Sequence, residues 1–138
     1  MIYFACALKH GGLSPETLEV YNFIATTVRT AGYEIYMPHE EPLPTLDCVG
    51  VYEHSIEKVG IAKLLILYAG IEAFGSGMEF GYASIIGIPT ITIAETTVLV
   101  DRRISITTSH LIRFGSLKSL KDQLLQIIQQ YVEKDKTS

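Results

Sequence analysis

One carboxylate, Glu79, stands in a glycine-rich segment that could present it to a ligand. The segment reads Gly75-Ser76-Gly77-Met78-Glu79 and opens a predicted helix. The glycines remove side chains around the helix start, so a ligand could approach the backbone there. A helix N-terminus favours the ionised form of a carboxylate, which predicts a lowered pKa for Glu79. An ionised, oriented carboxylate is what attack at the anomeric carbon of a sugar requires.

The same residues also fit a purely structural alternative. Residues 76–79 match the S-x-x-E capping box, in which Ser76 caps the helix and Glu79 reaches back to the Ser76 amide. The carboxylate would then stabilise a helix end and contact no ligand. The local pattern leaves both interpretations open, so the place of Glu79 in the fold has to decide between them.

Strand-like and helix-like stretches alternate around this segment. Short apolar runs predict five strands, at 2–8, 34–37, 64–69, 88–93 and 111–114. Apolar residues at helical spacing and capping signals predict four helices, from Pro15 to a stop at Gly32, over 50–62, over 76–86 with a stop at Gly87, and after the Ser116 cap. Residues 39–48 are interpreted as a loop. Residues 96–100 favour a further strand, and a short helix also fits this region.

This alternation predicts an α/β fold of the flavodoxin-like (Rossmann-like) kind. We expect a three-layer α/β/α arrangement around a five-stranded parallel sheet with strand order 2-1-3-4-5. Residues 64–69 lack polar alternation, as expected for a central strand buried on both faces. In this order the first and third strands are neighbours, and ligands bind at their carboxyl ends. We expect one domain over residues 1–133, followed by a frayed tail at 134–138.

Composition narrows the classes of partner. The net charge of −4 argues against general binding to polymeric nucleic acid or to anionic membranes. Cys6 and Cys48 form neither a CxxC pair nor a metal-like cluster, so we expect a reduced compartment and no metal site, and Cys6 should be a small buried hydrophobe. The N-terminus has no signal-peptide pattern and no apolar run has membrane-spanning length, which predicts a cytoplasmic protein. The hydrophobic content of 48% favours an oligomer interface.

The residues around Glu79 resemble a known family signature. Residues 75–91 read G-S-G-M-E-F-G-Y-A-S-I-I-G-I-P-T-I, similar to the G-T-x-x-E-[IL]-G-x-A-x-x-x-G-K-P-[VI] signature of the nucleoside 2-deoxyribosyltransferase superfamily. Residues 2–5, I-Y-F-A, resemble the family's opening I-Y-[LF]-A strand, and the resemblance covers roughly residues 1–130. That family contains transferases that exchange bases between deoxyribonucleosides. It also contains hydrolases that release the base from nucleoside 5′-monophosphates, including deoxynucleotide N-glycosidases and cytidylate hydrolases.

The resemblance implies roles for individual residues. Glu79 would attack C1′ of the sugar, and Tyr3 would position Glu79. A nearby acid, His54, Glu53 or Glu57, would protonate the leaving base or bind the sugar hydroxyls. Further substrate contacts would come from the loop after the first strand, from the second helix and from the start of the signature helix, namely Lys9, His10, Gly11, Ser55, Gly75, Ser76 and Gly77. The resemblance implies no metal or organic cofactor, and it implies a homodimer or larger assembly with sites near subunit interfaces.

The chain departs from the family pattern at four positions. Ser55 stands where the family usually has an aspartate, and Ala73 stands where transferases commonly have Asp and nucleotide hydrolases Ser. Lys63 replaces an aspartate before the central strand, and Ile88 replaces a lysine before proline. The missing Asp at position 73, together with the charge of the basic loop at 9–10, favours the hydrolase over the transferase.

Four functions therefore remain open at this point. The first is a hydrolase that cleaves the N-glycosidic bond of a nucleoside 5′-monophosphate or nucleoside, and the second is a nucleoside 2-deoxyribosyltransferase. The third is a catalytically silent nucleotide-binding or sensor domain, which the changes at positions 55 and 73 favour. The fourth is a signalling or scaffold domain in which Glu79 only caps a helix. The ligand of the first three is a small-molecule nucleoside or nucleotide.

Overall fold

Strands and helices alternate along the chain, as the sequence predicts. The computed structural model describes residues 1–8, 13–40, 48–71 and 73–133. The strands are β1 (Ile2–Ala5), β2 (Ile35–Tyr36), β3 (Leu64–Tyr68), β4 (Thr90–Glu95) and β5 (His110–Phe114). The helices are α1 (Pro15–Thr30), α2 (Cys48–Ile61), α3 (Phe74–Ile86), α4 (Arg102–Thr107) and α5 (Leu117–Ile128), with a 3-10 helix at Pro38–Glu40.

The sheet has the predicted topology. All five strands pair in parallel in the order β2-β1-β3-β4-β5. Every residue of β1 and of β3 is buried, as expected for strands covered by helices on both faces. β1 lies between β2 and β3, so that Tyr3 stands opposite Tyr36 on one side and Leu65 on the other. The predicted α/β/α fold class is therefore confirmed, and β1 has β2 on one side and β3 on the other.

Successive side chains of β1 point to opposite faces of the sheet. Ile2 and Phe4 belong to the larger core, which α1 and α5 cover. Tyr3 and Ala5 belong to the smaller core, which α2 and α3 cover. The face that carries Tyr3 is therefore the face on which α3 packs.

Several helix ends follow the predicted signals. Ser14 Oγ accepts a hydrogen bond from the Thr17 amide at 3.2 Å, and Pro15 is the first residue of α1. Gly32 (φ 95°) and Gly87 (φ 85°) follow α1 and α3 in the left-handed conformation that commonly ends helices. These local signals were sufficient because a cap depends on residues that are close in sequence.

The region after β4 differs from the favoured prediction. Residues 96–100 do not form a strand, because β5 already pairs with β4 up to Glu95 and residues 96–97 turn away. The short-helix alternative is the one observed, as α4, with Asp101 as its N-cap accepting from the Arg103 amide at 2.8 Å. The predicted loop at 39–48 contains the end of the 3-10 helix, and α2 already begins at Cys48. The rest of that loop and the predicted tail lie outside the described residues.

None of the helices described is long and apolar enough to cross a bilayer. No group of three or more His, Cys, Asp or Glu side chains in the described ranges is arranged to hold a metal ion.

Candidate active site

The Glu79 carboxylate contacts the first strand of the sheet. The phenol of Tyr3 donates a hydrogen bond to Glu79 Oε2, joining residues 76 positions apart in the sequence. Tyr3 is fully buried, whereas Glu79 is partly exposed. Tyr3 is thus a core aromatic whose ring packs in the smaller core while its hydroxyl reaches the carboxylate. The structure brings together the two residues that the sequence proposed as catalytic.

The capping-box interpretation of residues 76–79 is wrong. α3 begins at Phe74, two residues before the predicted start, and Ala73 is its N-cap without a side-chain hydrogen bond. Ser76 lies inside the first turn, buried, and its Oγ donates to the Ala73 carbonyl at 3.1 Å. Because the helix starts earlier, Glu79 lies in the second turn, and its carboxylate binds Tyr3.

The predicted lowering of the Glu79 pKa is also wrong. Burial raises the pKa of Glu79 to about 7, and the hydrogen bond from Tyr3 opposes this rise. The influence of free helix amides falls off beyond the first turn, so at its actual position Glu79 gains little from them. Burial and the nearby Glu79 charge, in that order, raise the pKa of Tyr3, which therefore keeps its proton and acts as the donor.

Ser55, the residue at the family's aspartate position, also reaches this pair. It lies on α2, and hydrogen bonding by its side chain opposes the rise in the pKa of the Tyr3 phenol. Tyr3 is thus held between a hydroxyl from α2 and a carboxylate from α3. Because the phenol proton goes to Glu79, the Ser55 hydroxyl can only donate to the Tyr3 oxygen, and it adds no negative charge beside Glu79.

The sequence did not point to the aromatic residue beside Tyr3. The ring of Tyr36 stacks on that of Tyr3, with centroids 5.3 Å apart and planes 24° from parallel. The Tyr36 hydroxyl lies 3.1 Å from His54 Nε2, and Lys58 Nζ lies 5.5 Å from the Tyr36 ring centroid. A signal existed, since both tyrosines are the second residue of their strands, but the strand register was not readable from the sequence.

The three candidate proton donors on α2 differ in exposure and in their contacts. His54 is partly buried and its Nε2 faces Tyr36, whereas Glu53 and Glu57 are exposed on α2. Lys9, His10 and Gly11 fall outside the described residues. Of the three candidate acids, only His54 forms a side-chain hydrogen bond to the Tyr3–Tyr36 pair within the described part of the chain.

Glycines at the start of α3 leave open space. Gly75 and Gly77 are exposed, and a Cβ built on either would meet no atom within 4 Å. Neither has a positive φ. The packing of α3 therefore does not require glycine at these two positions.

A cavity of about 590 Å³ lies between the first turn of α3 and residues 99–104. Predicted binding residues Ser76 and Gly77 both contribute to its wall. Its other described lining residues come from β3, from the α3 start and from the segment before and within α4: Leu67, Tyr68, Ala69, Ile71, Ala73, Phe74, Met78, Leu99, Val100, Asp101, Arg103 and Ile104. The start of α3 thus borders an open volume as well as carrying Glu79 one turn further on.

Cys6 is buried, as predicted for a small hydrophobic residue. Burial, and secondarily the Glu79 charge, raise the pKa of Cys6 to about 12. The thiol therefore stays protonated at neutral pH and is a poor nucleophile. Cys48 begins α2, but its side chain is outside what the structure describes.

Known structures with this fold include two enzymes that act on nucleosides or nucleotides. The CMP N-glycosidase of Clostridium botulinum matches with a TM-score of 0.69 and 14% identity over 92% of this chain and 99% of that one. A 2-deoxyribosyltransferase of Bacillus psychrosaccharolyticus matches with a TM-score of 0.71 and 19% identity over 88% of this chain and 90% of that one. A conserved protein of Enterococcus faecalis matches with a TM-score of 0.61 and 18% identity, over 91% and 97%.

At the level of sequence there is no such match. No protein-family model matches the chain, and no curated protein matches it either. The likeness therefore lies in the strand order and in the arrangement of helices around the sheet, over almost the whole length of both enzymes. The chain thus shares its fold with both enzymes, and this is the fold that the resemblance around Glu79 implies.

Proposed function

We propose that the protein hydrolyses the N-glycosidic bond of a nucleoside 5′-monophosphate or nucleoside, with Glu79 as the nucleophile at C1′. The observation that carries this proposal is the hydrogen bond from Tyr3 to Glu79. A capping carboxylate would face its own helix, whereas this one is fixed by a buried strand tyrosine. The fold shared with a CMP N-glycosidase and a 2-deoxyribosyltransferase supports the same reaction class.

The chemistry that we propose takes two displacements at one carbon. Tyr3 engages Oε2, so we assign Oε1 of ionised Glu79 as the attacking oxygen. Its bond to C1′ forms as the C1′–N bond breaks, and the base leaves with the bonding electron pair and takes up a proton. Water then attacks C1′ and gives up a proton, which restores the acid that protonated the base, while the carboxylate is displaced and the sugar or sugar phosphate is released.

The leaving base needs a proton donor, and the three predicted candidates differ in their positions. Glu53 and Glu57 are exposed, whereas His54 is partly buried beside the Tyr3–Tyr36 stack. We therefore rank His54 first as the acid. Ser55 would support the site by donating to the Tyr3 phenol oxygen.

The glycines of α3 support a ligand at the helix start. Glycine inside a helix is less favourable than alanine by up to about 1 kcal/mol. At Gly75 and Gly77 no neighbouring atom compensates for that cost, because the space around them is open. We propose that substrate approaches the backbone here, together with Ser76, and that Lys9, His10 and Gly11 contact a 5′-phosphate.

Base exchange is the second candidate. The observation that favours it is the similarity to the 2-deoxyribosyltransferase, which has the higher TM-score of the two enzymes. In that case a second free base, instead of water, would attack C1′ of the sugar bound to Glu79. The two reactions share the first displacement and differ in the acceptor.

The test is a panel of ribo- and deoxyribonucleosides and their 5′-monophosphates, incubated with and without a second free base. Base release and base exchange are followed by chromatography. Glu79→Gln keeps the shape of the side chain and should lower either activity at least about 1,000-fold. Glu133→Gln, the same change at an exposed position beyond α5, should leave the activity unchanged.

Each outcome decides between the functions. Base release without a second base supports the hydrolase, and activity that requires the second base supports the transferase. Activity that Glu79→Gln retains contradicts the role of Glu79. Ligand binding without turnover in the wild type would instead favour the silent sensor domain, and neither binding nor turnover would remove all three.

A further inference from the structure

Tyr3 also contacts an aromatic side chain on the neighbouring strand β2. In the parallel pairing of β1 with β2, Tyr3 and Tyr36 are direct partners, so the backbone register places their rings face to face. The far end of Tyr36 is fixed in turn, because its hydroxyl lies 3.1 Å from His54 Nε2 on α2. The contacts therefore run from α2 through both tyrosines to the carboxylate on α3.

We propose that Tyr36 is a positioning residue for Glu79: stacked on Tyr3 and tethered to His54, it holds the Tyr3 phenol in the orientation that donates to the carboxylate. A tyrosine side chain turns about two torsions, and a hydrogen bond at its tip depends on both. Strand pairing fixes the Cα positions but leaves these torsions free. The Tyr36 ring, fixed by its own strand and by its hydroxyl contact with His54, restricts these torsions of Tyr3.

The surroundings of Tyr36 fit this role. Lys58 Nζ lies 5.5 Å from the Tyr36 ring centroid, an arrangement in which a cation is attracted to the ring face. Tyr36 is partly buried and packs against the smaller core. The ring is thus held by Tyr3 on β1 and by two side chains of α2.

The titratable groups around Glu79 come from each element packed near it. β1 contributes Tyr3, and Cys6 follows directly after that strand. β2 contributes Tyr36, which faces His54 and Lys58 of α2. A change at Tyr36 can therefore act on Glu79 through Tyr3 or through altered solvent access, and an experiment has to separate these two routes.

A double-mutant cycle separates them without requiring any activity. The pKa of Glu79 is measured by carbon NMR on protein labelled in the glutamate carboxyl groups, with Glu79→Gln identifying the resonance. Tyr3→Phe removes the hydrogen bond and should raise the pKa of Glu79, since that bond lowers it. Tyr36→Leu should raise it as well, and the double variant should show no increase beyond that of Tyr3→Phe.

Two further variants sharpen the cycle. Tyr82→Leu is the matched control. Tyr82 is also partly buried against the smaller core, but among the described residues the ring stacked on Tyr3 is that of Tyr36. It should leave the pKa of Glu79 near the wild-type value. Tyr36→Phe keeps the ring and removes the bond to His54, and it should give a smaller rise than Tyr36→Leu; it carries the test if Tyr36→Leu does not fold.

The outcomes either support or overturn the positioning role. Equal effects of Tyr36→Leu with and without the Tyr3 hydroxyl, an equal effect of Tyr82→Leu, or no effect of either Tyr36 variant would overturn it. The catalytic consequence rests on the proposed function: Tyr36→Leu should lower kcat for base release roughly tenfold with little change in KM. It should also raise the pH at which activity is half-maximal together with the pKa of Glu79, whereas a loss that acts through His54 alone would leave that midpoint in place. Because the NMR cycle needs no substrate, a failure of the proposed function would leave its result intact and distinguishable.

Discussion

The two faces of the sheet are packed with different kinds of side chain, although the same strands supply both. On the α1/α5 face the core is almost entirely aliphatic and aromatic, with residues such as Phe4, Ile24 and Leu124 fully buried. The α2/α3 face buries a smaller apolar cluster and also carries the carboxylate of Glu79. One face therefore stabilises the fold, and the other maintains a partly buried acid.

Both faces contain a tyrosine whose hydroxyl is bonded, and the partners differ. Tyr21 donates to the Ala7 carbonyl at 3.2 Å, which satisfies a backbone group. Tyr3 donates to a carboxylate that can ionise. The cavity on the α1/α5 side, about 460 Å³, is lined by three glutamates, Glu16, Glu19 and Glu95, which would repel an anionic nucleotide. The α2/α3 face thus holds an ionisable partner for its tyrosine, whereas the tyrosine of the α1/α5 face binds a backbone carbonyl.

The largest effect on stability is expected on the α1/α5 face. Leu124→Ala removes a fully buried side chain and should lower the free energy of unfolding by about 2–5 kcal/mol. Urea denaturation measures this loss. Activity per folded molecule should stay at the wild-type level. A loss of activity in the folded fraction would contradict the expectation that the α1/α5 face contributes stability alone.

On the α2/α3 face, Glu79→Gln should stabilise the protein in a pH-dependent way. Burial raises the pKa of Glu79 from 4.5 to about 7, so the folded state prefers the protonated acid and loses stability as pH rises through that interval. Gln carries no charge and should therefore gain about 1–3 kcal/mol at pH 8 and nearly nothing at pH 4. Denaturation at both pH values checks this, with Glu133→Gln as the control, and an equal gain at both would contradict the buried-acid interpretation.

The same chemical change at the two bonded tyrosines should have different consequences. Tyr3→Phe removes a charge-assisted hydrogen bond and should lower kcat/KM for base release roughly 10- to 100-fold. Wild-type activity should rise through about pH 7 as Glu79 ionises, and the Tyr3→Phe midpoint should lie higher because the hydrogen bond lowers that pKa. Tyr21→Phe should cost about 1–3 kcal/mol of stability and leave the pH–rate profile in place. Identical pH–rate profiles for Tyr3→Phe and Tyr21→Phe would contradict a specific effect of Tyr3 on Glu79.

The smallest effect is expected at the start of α3. Gly77→Ala faces open space in a helix, so it should raise stability by roughly 0.5–1 kcal/mol. If substrate approaches this backbone, the same variant should weaken substrate binding, measured as an increase in KM. Higher stability with unchanged KM would show that the ligand does not come close to Gly77.

Much of the fold was predictable because its signals are local. The Ser14 cap, the Gly87 stop and the unbroken apolar run of β3 each depend on a few consecutive residues. The start of α3 was misplaced because Ser76 looks like a cap in sequence. In the structure Ser76 is buried within the first turn, and the cap position falls to Ala73, which has no capping side chain.

By itself, the sequence determined the order of the five sheet strands, their parallel arrangement and the glycine-rich helix that carries Glu79. Hydrophobic periodicity and capping act over one or two turns, so they can be recognised without knowing the fold. Only the tertiary structure decided what Glu79 contacts and how its pKa responds. Those properties depend on burial and on a hydrogen bond between residues 76 positions apart, neither of which a local pattern encodes.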